Sequence, residues 1–293
     1  MSVLEPCLQA LPYVPLVLGI FLSFRVLKIT DLTADGSFVL GGGLFAKLWI
    51  EGFPYGVCIM GGLAGGFCVG LFLAYLQKRD RMPALVASII CVFMLYSFNL
   101  LVMGRPNIPL LLKPTPFHMM ADQYEAAGPL CFLGVIGMVV TLLLYVLQTR
   151  LGLLARAFGS NKALLLKRGY RPDLIRSLGL ASSNTLYALS GIACVHVQKF
   201  ADINMGMGVA LMGIGAVMIG RHLFQRLSLV VEDRFKADRD VLACVFGLVI
   251  YFTLMFQLLS FGVDPLYLKL ALGALLISTF LLPTKGGPDA FTC

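Results

Sequence analysis

The chain is apolar in nine blocks, 8–27, 36–50, 55–76, 83–103, 128–147, 177–197, 205–220, 241–260 and 265–282, and its polar residues gather in the gaps. Most blocks have the roughly 20 residues that a helix needs to cross a hydrocarbon core. The pattern therefore predicts membrane-spanning helices. Two blocks are too short, 36–50 and 205–220, at about 15 residues each, and both are rich in glycine.

The approaches to the short blocks resemble each other. The first reads DLTADGSFVLGGG from Asp31 to Gly43, and the second reads ADINMGMG from Ala201 to Gly208. One enters from the side of the basic gaps, the other from the opposite side. Short, glycine-interrupted segments in oppositely directed halves predict an inverted repeat of broken helices, whose freed backbone N–H groups face a protein- or water-lined cavity. On this reading Asp35, Gly36, Ser37, Asn204, Gly206 and Gly208 line a translocation pathway. The competing reading is that the glycines let helices approach closely, as small residues do in membranes.

Composition agrees with the pattern. Hydrophobic residues make up 59% and charged residues 13%, and the mean hydropathy is +0.89, against a charged fraction near 25% in soluble domains. The expected fold is an all-α polytopic membrane protein forming one transmembrane domain over 1–293. The net charge of +8 does not indicate nucleic acid, because the basic residues lie in short gaps and not on one soluble face. Arg25 and Lys28 follow the first block, Lys78, Arg79 and Arg81 the third, a long basic stretch the fifth, and Arg221 to Arg239 the seventh. Placing every basic gap inside gives nine spans, N-terminus out and C-terminus in, with about 18 of the 23 basic residues cytoplasmic. Before the first block Glu5 is the only charge, so the n-region of a cleaved signal peptide is missing and that span is expected to be retained. The eight cysteines are scattered, without a CxxC pair or a histidine at ligand spacing, and read as small buried hydrophobes; no metal site is expected.

The most polar stretch is 148–176, with seven Lys or Arg against Asp173 alone. Within it Ser160 and Asn161 are capping types, Lys162 to Arg168 are good helix formers, and Gly169 is a natural stop. Lys167 and Arg168 then occupy the last turn, where the helix dipole favours cations. Ala163, Leu164, Leu165 and Leu166 are poorly served by water in such a helix, so a groove on another protein is a place for them. The stretch is either an ordinary topology-fixing loop or a handle for a partner.

Other candidates are single residues. Asn99 is a lone amide inside an apolar block, suited to an interhelical hydrogen bond or to solute contact. His196 and Gln198 sit near the outer end of the sixth block, where polar groups are cheap, and His196 reads as structural. The external segment 104–127, with Pro106, Pro109, Pro114 and Pro116, is too proline-rich for a long helix and reads as a partly folded cap or docking surface. The GGGLFAK run at Gly41 lacks the second glycine and the hydroxyl of a nucleotide-binding loop, and neither HExxH nor GxSxG occurs. The spans also lack the multiple carboxylates of a proton relay. Energy for uphill transport would enter from a partner.

Several blocks together, LSFRVLKITDLTADGSFVLGGG, LYSFNLLVMGRPNIPLL, TRLGLLARAFGSNKALLLKRGY and the run from Leu178 through Gly220, resemble the permease subunits of bacterial ABC importers. The similarity is to the branched-chain amino-acid and ribose permease superfamily, in the branch paired with tryptophan-type solute-binding proteins. It covers roughly 12–220; beyond Gly220 only hydropathy matches. The resemblance implies a homodimeric or heterodimeric pore in the bacterial inner membrane, cytoplasmic ATPase subunits that bind the ATP, and an extracytoplasmic binding protein that hands over an amino acid. It maps the ATPase-coupling motif onto Arg156, Gly159, Ser160, Asn161, Ala163 and Gly169, with Leu164 and Leu165 in the same helix; Asn99 and Gln198 are counted with the candidate pathway residues. The chain departs from the family at CVHVQKF, Cys194 to Phe200, where smaller neutral residues are expected, and this bears on the solute. An ATP-independent carrier and an integral membrane lipid enzyme are the alternatives; the first wants ion-coupling carboxylates and the second a surface cluster of His, Asp or Glu.

Overall fold

The computed structural model describes residues 4–78, 81–111, 113–116, 127–227 and 236–262, with isolated positions at 270, 273, 274 and 277. The first span is assembled from pieces: α1 (Leu4–Ala10), a 3-10 turn (Leu11–Tyr13), α2 (Val14–Ile20) and a π-helical stretch (Phe21–Val26). Pro12 and Pro15 stand in the first positions of their turns, where the missing N–H costs nothing. Then follow α3 (Ala34–Glu51), α4 (Tyr55–Leu76), α5 (Ala84–Met103), α6 (Ala127–Gln148), α7 (Arg150–Ser160), α8 (Lys162–Lys167), α9 (Pro172–Gln198), α10 (Val209–Leu227) and α11 (Lys236–Ser260). Gly52 and Gly104, at φ 96° and 70°, end α3 and α5 with left-handed caps.

Among the described residues five helices are long and apolar enough to cross a membrane, or six when the bent pair in 133–160 counts as one span. The block at 265–282 falls almost wholly outside the described residues. The all-α polytopic fold is as expected, apart from one two-stranded ribbon. The expectation of a short, broken second segment is corrected: α3 is a continuous helix of 18 residues, and its glycines do not interrupt it. They admit neighbours instead. A Cβ on Gly41 would lie 2.4 Å from the Ala188 carbonyl oxygen, and one on Gly191 would lie 1.9 Å from that of Phe38. Close packing is therefore the reading that holds for Gly41 to Gly43, and α3 is the axis around which α4, α5 and α9 pack.

Helix directions follow from the contacts. Gly41 meets Ala188 and Gly42 meets Val195, so α3 and α9 run together. Gly36 meets Leu95 and Gly43 meets Met103, so α5 runs with them. Gly62, Gly66 and Gly70 of α4 meet Ile192, Asn184 and Leu180 in falling order, so α4 runs against α9. Ser190 Oγ donates to the Pro12 carbonyl while Gly19 abuts Ser183, so α2 also runs against α9. In α10, Gly213 lies on Leu16 and Ile20, and Arg221 feels the charge of Arg25, which sets α10 parallel to α2 and opposed to α3. These are the alternating directions that the basic gaps predict.

On the face bearing the C-terminus of α5, β1 (Asn107–Pro109) pairs antiparallel with β2 (Phe200–Asp202), Ile108 opposite Ala201. The ribbon continues through Leu110 N to Lys199 O and Ile203 N to Pro106 O, each 2.9 Å. A reciprocal clasp ties it to the end of α3: Trp49 Nε1 donates to the Lys113 carbonyl at 2.9 Å, and Lys113 Nζ to the Trp49 carbonyl at 2.8 Å. The described part of 104–127 is thus an ordered cap, while 117–126 lies outside the described residues.

Candidate functional site

The first turn of α3 places Asp35 beside the start of α10. Its Oδ2 accepts from Gly208 N at 3.2 Å and its Oδ1 from Ala210 N at 2.6 Å. One carboxylate thus caps a helix that begins far along the chain, at Val209. Gly208 adopts φ 86°, and a Cβ on Gly206 would come within 2.3 Å of the Asp35 carbonyl oxygen, so both glycines let the incoming chain turn against α3. Because α3 and α10 run in opposite directions, the positive ends of two helix dipoles meet at this carboxylate. A cavity of about 290 Å³ opens beside it, lined by Leu32, Ile89, Val92, Phe93, Leu211 and Ile214 as well as Asp35 and Gly208.

Behind Asp35 the polar groups are completely enclosed. Asn99, 2% exposed, donates from Nδ2 to the Gly36 carbonyl at 3.0 Å, the interhelical bond that its position allowed, and its Oδ1 is buried without a partner. Ser37, Thr33 and Asp31 converge on Asn184 of α9: Ser37 Oγ lies 2.6 Å and Thr33 Oγ1 2.9 Å from Asn184 Oδ1, and Asn184 Nδ2 lies 3.1 Å from Asp31 Oδ2. Thr33 N donates to Asp31 Oδ1 at 2.9 Å, and the Thr33 hydroxyl also contacts that oxygen. All four side chains are fully buried. Asp31, a single buried carboxylate among the described residues, belongs to a non-helical strap, 27–33, that folds back into the bundle.

The inner end of that strap meets the basic stretch. The chain bends by 71° between Leu133–Gln148 and Arg150–Ser160, and the Arg156 guanidinium donates to the Leu147 carbonyl across the bend. Gly159 presses on the backbone of Val26 and Leu27. Asn161 then caps α8 as its residue type predicts, its Oδ1 accepting from Leu164 N at 3.1 Å, while Ser160 closes α7. Gly169, at φ 79°, ends α8, with Tyr170 N returning to the Leu165 carbonyl at 3.0 Å. Ala163 is exposed, as are Leu164 at 45% and Leu166 at 63%. Leu165 does not share that face. At 3% exposure it packs with Leu27, Ile29, Phe158 and Leu180, so it anchors the helix to its own chain and is not available to a partner. Arg176, one of the seven basic residues of the stretch, is buried, donates to the Gln77 carbonyl at the end of α4, and lies over the Phe158 ring.

The remaining candidates are not gathered here. Gln198 is exposed at the last turn of α9, and Asn204 is exposed in a turn closed by its own N–H on Asp202 Oδ1 at 2.7 Å. His196 is structural: Nε2 lies 2.9 Å from the Tyr55 hydroxyl and Nδ1 2.8 Å from the Ile192 carbonyl. Asn184 and Asp31 were missed. The signal for Asn184 was the same as for Asn99, a lone amide in an apolar helix. Among the described residues no three His, Cys, Asp or Glu side chains gather as metal ligands.

The chain has relatives among known proteins. The profile described as branched-chain amino acid transport system / permease component matches residues 2–279. An uncharacterised protein of Rickettsia prowazekii (strain Madrid E) is 43% identical over 271 residues, covering 92% of each chain. A tyrosine transport system permease protein of Clostridioides difficile (strain R20291) is 31% identical over 267 residues, covering 91% of this chain and 85% of the relative. No solved structure matches significantly. A match over nearly the whole length, on a multi-pass helical fold, makes this a transporter subunit of an ABC-type system and not an enzyme: the chain belongs to the permease-component family of branched-chain amino acid transport systems.

Proposed function

We propose that the protein is the membrane permease of an ABC importer that moves an amino acid, aromatic in kind, past Asp35. The observation that carries this reading is the meeting of two opposed helix starts on one carboxylate beside a cavity whose walls are apolar. At about 290 Å³ the cavity is at the lower end of small-molecule sites. The Asp35 carboxylate complements an α-ammonium group, and Phe93, Leu211 and Ile214 complement a ring; the name of the clostridial relative points to the same class of solute. The pathway takes in Gly206 and Gly208 around Asp35, with Gly36, Ser37 and Asn99 in the enclosed layer that supports it and Gln198 and Asn204 at its outer mouth.

On the cytoplasmic side α8 offers Leu164, Leu166 and the basic residues around them to an ATPase subunit. On the outer side the ribbon and its clasp receive a solute-binding protein. Two permease chains, identical or related, enclose the pore, and each has nine spans in which α3 and α10, both continuous helices, are the corresponding, oppositely directed segments of an inverted repeat. ATP and the loaded binding protein favour different states of this assembly, which is all that alternating access requires.

The test is reconstitution in proteoliposomes with the ATPase and the binding protein, measuring uptake of labelled tyrosine and leucine with and without ATP. Uptake that needs ATP and the binding protein and prefers tyrosine is the expected result. ATP-independent uptake overturns the importer reading, and a preference for leucine overturns the assignment of the solute.

A further inference from the structure

We infer that Asp31 is a proton-binding site: it holds a proton on Oδ1 and serves as a neutral acid that pins the start of α3 to α9. The grounds are a count of hydrogens. Asn184 Nδ2 faces the Leu180 carbonyl at 3.0 Å, an obligate acceptor, which fixes the amide with Oδ1 toward the hydroxyls. Ser37 Oγ donates to that Oδ1. The Thr33 hydroxyl has one hydrogen but touches two oxygens, Asp31 Oδ1 and Asn184 Oδ1. If both were bare acceptors, one contact would set lone pair against lone pair. A proton on Asp31 Oδ1 resolves this: Asp31 Oδ1 donates to Thr33 Oγ1 and still accepts from Thr33 N, Thr33 donates to Asn184, and Asp31 Oδ2 accepts from Asn184 Nδ2.

The surroundings lead to the same state. Asp31 is fully buried, and the groups that face it are Thr33, Asn184 and Tyr187, with the Cys91 thiol nearby on α5. None carries positive charge, and Asp31 forms no ion pair among the described residues. A carboxylate so placed, without a cation, is costly enough that it neutralises instead. Asp35 differs in kind, since it faces a cavity and two backbone N–H groups at a helix start. The two neighbouring acids therefore stand in different settings, Asp31 enclosed where it positions α3 and Asp35 at the cavity.

The test uses the full chain in lipid at neutral pH. Infrared absorption of the protonated carboxyl C=O is compared for wild type, Asp31→Asn and Asp35→Asn. The expected result is a band present in wild type, lost in Asp31→Asn and kept in Asp35→Asn. Absence of the band from wild type, or its survival in Asp31→Asn, overturns the assignment. Uptake by the reconstituted importer gives a second measure of the positioning role. Asparagine keeps a donor toward Thr33 and an acceptor for Asn184, so Asp31→Asn is expected to exceed Asp31→Ala by about tenfold. Equal uptake by the two variants overturns that role. The infrared arm needs no transport, so its outcome is separate from that of the importer reading.

Discussion

Replacing Asp35 by alanine removes the acceptor for two backbone N–H groups at the start of α10, and the size of the effect follows from that geometry. The bonds to Gly208 N and Ala210 N, at 3.2 and 2.6 Å, amount to a capping interaction supplied from another helix. Loss of a cap costs about 1 kcal/mol. Loss of a charge facing a partly buried helix N-terminus adds up to about 2 kcal/mol. The first turn of α10 should therefore open more easily by about 2–3 kcal/mol, which speeds local hydrogen exchange by about 30- to 140-fold. Asp35→Asn keeps one oxygen acceptor and should fall between. The assay is hydrogen exchange in lipid nanodiscs, followed by mass spectrometry of peptides spanning 203–212, with a peptide in α9 as the internal control. Exchange in Asp35→Ala that equals wild type over 206–212 while α9 is unchanged would refute the cap, and a uniform rise across both peptides would show a global loss of fold instead.

The short helix α8 separates two adjacent leucines. Leu165→Asp buries a charge among Leu27, Phe158 and Leu180 and should lower folded protein in the membrane severalfold, whereas Leu164→Asp should keep the fold and abolish pull-down of the ATPase; equal yields for the two would contradict the burial of Leu165. Gly191→Ala sets a methyl against the Phe38 carbonyl in the tightest crossing of α3 and α9, and overpacking of about 1–3 kcal/mol should be measurable as a lower thermal midpoint in micelles. A reporter active only in the cytoplasm should work when fused after Arg168 and stay silent after Lys113, because Lys113 is clasped to the end of α3 beside the outer ribbon; activity at Lys113 would reverse the assignment of faces.

What the sequence shows clearly is what short-range chemistry decides. Asn161 caps α8 and Gly169 ends it because capping types and a glycine stand at the right spacing, and nothing distant is needed. Helix directions were legible for a similar reason, since the basic gaps alternate. The face of α8 was not legible: in a six-residue helix of KALLLK, periodicity cannot tell whether Leu164 or Leu165 turns inward, and that is decided by Leu27 and Leu180 arriving from elsewhere. Gly41 to Gly43 fit both a broken helix and a close crossing, and the backbone of Ala188 settles it. Asp31 looked like a loop residue before α3 because its partner Asn184 lies 153 positions away.

The Asp35 cap has a consequence for how the two faces of the protein communicate. From outside, the ribbon leads through Ile203 to Gly206 and Gly208 and so to the Asp35 carboxylate. From inside, Gly159 and Leu165 press on Leu27, and the strap from Leu27 leads through Asp31 and Thr33 to the first turn of α3, where the same carboxylate stands. A displacement arriving along either route must move α3 and α10 together or break the cap, and breaking it costs the same 2–3 kcal/mol, about 30- to 140-fold in population. That is the size of a typical coupling free energy between sites. On the proposed importer reading, the cap is strong enough to carry a signal between ATPase and binding protein and weak enough to be reversed in each transport cycle. A stronger tie, such as a buried ion pair at the same point, would hold one state and slow the return.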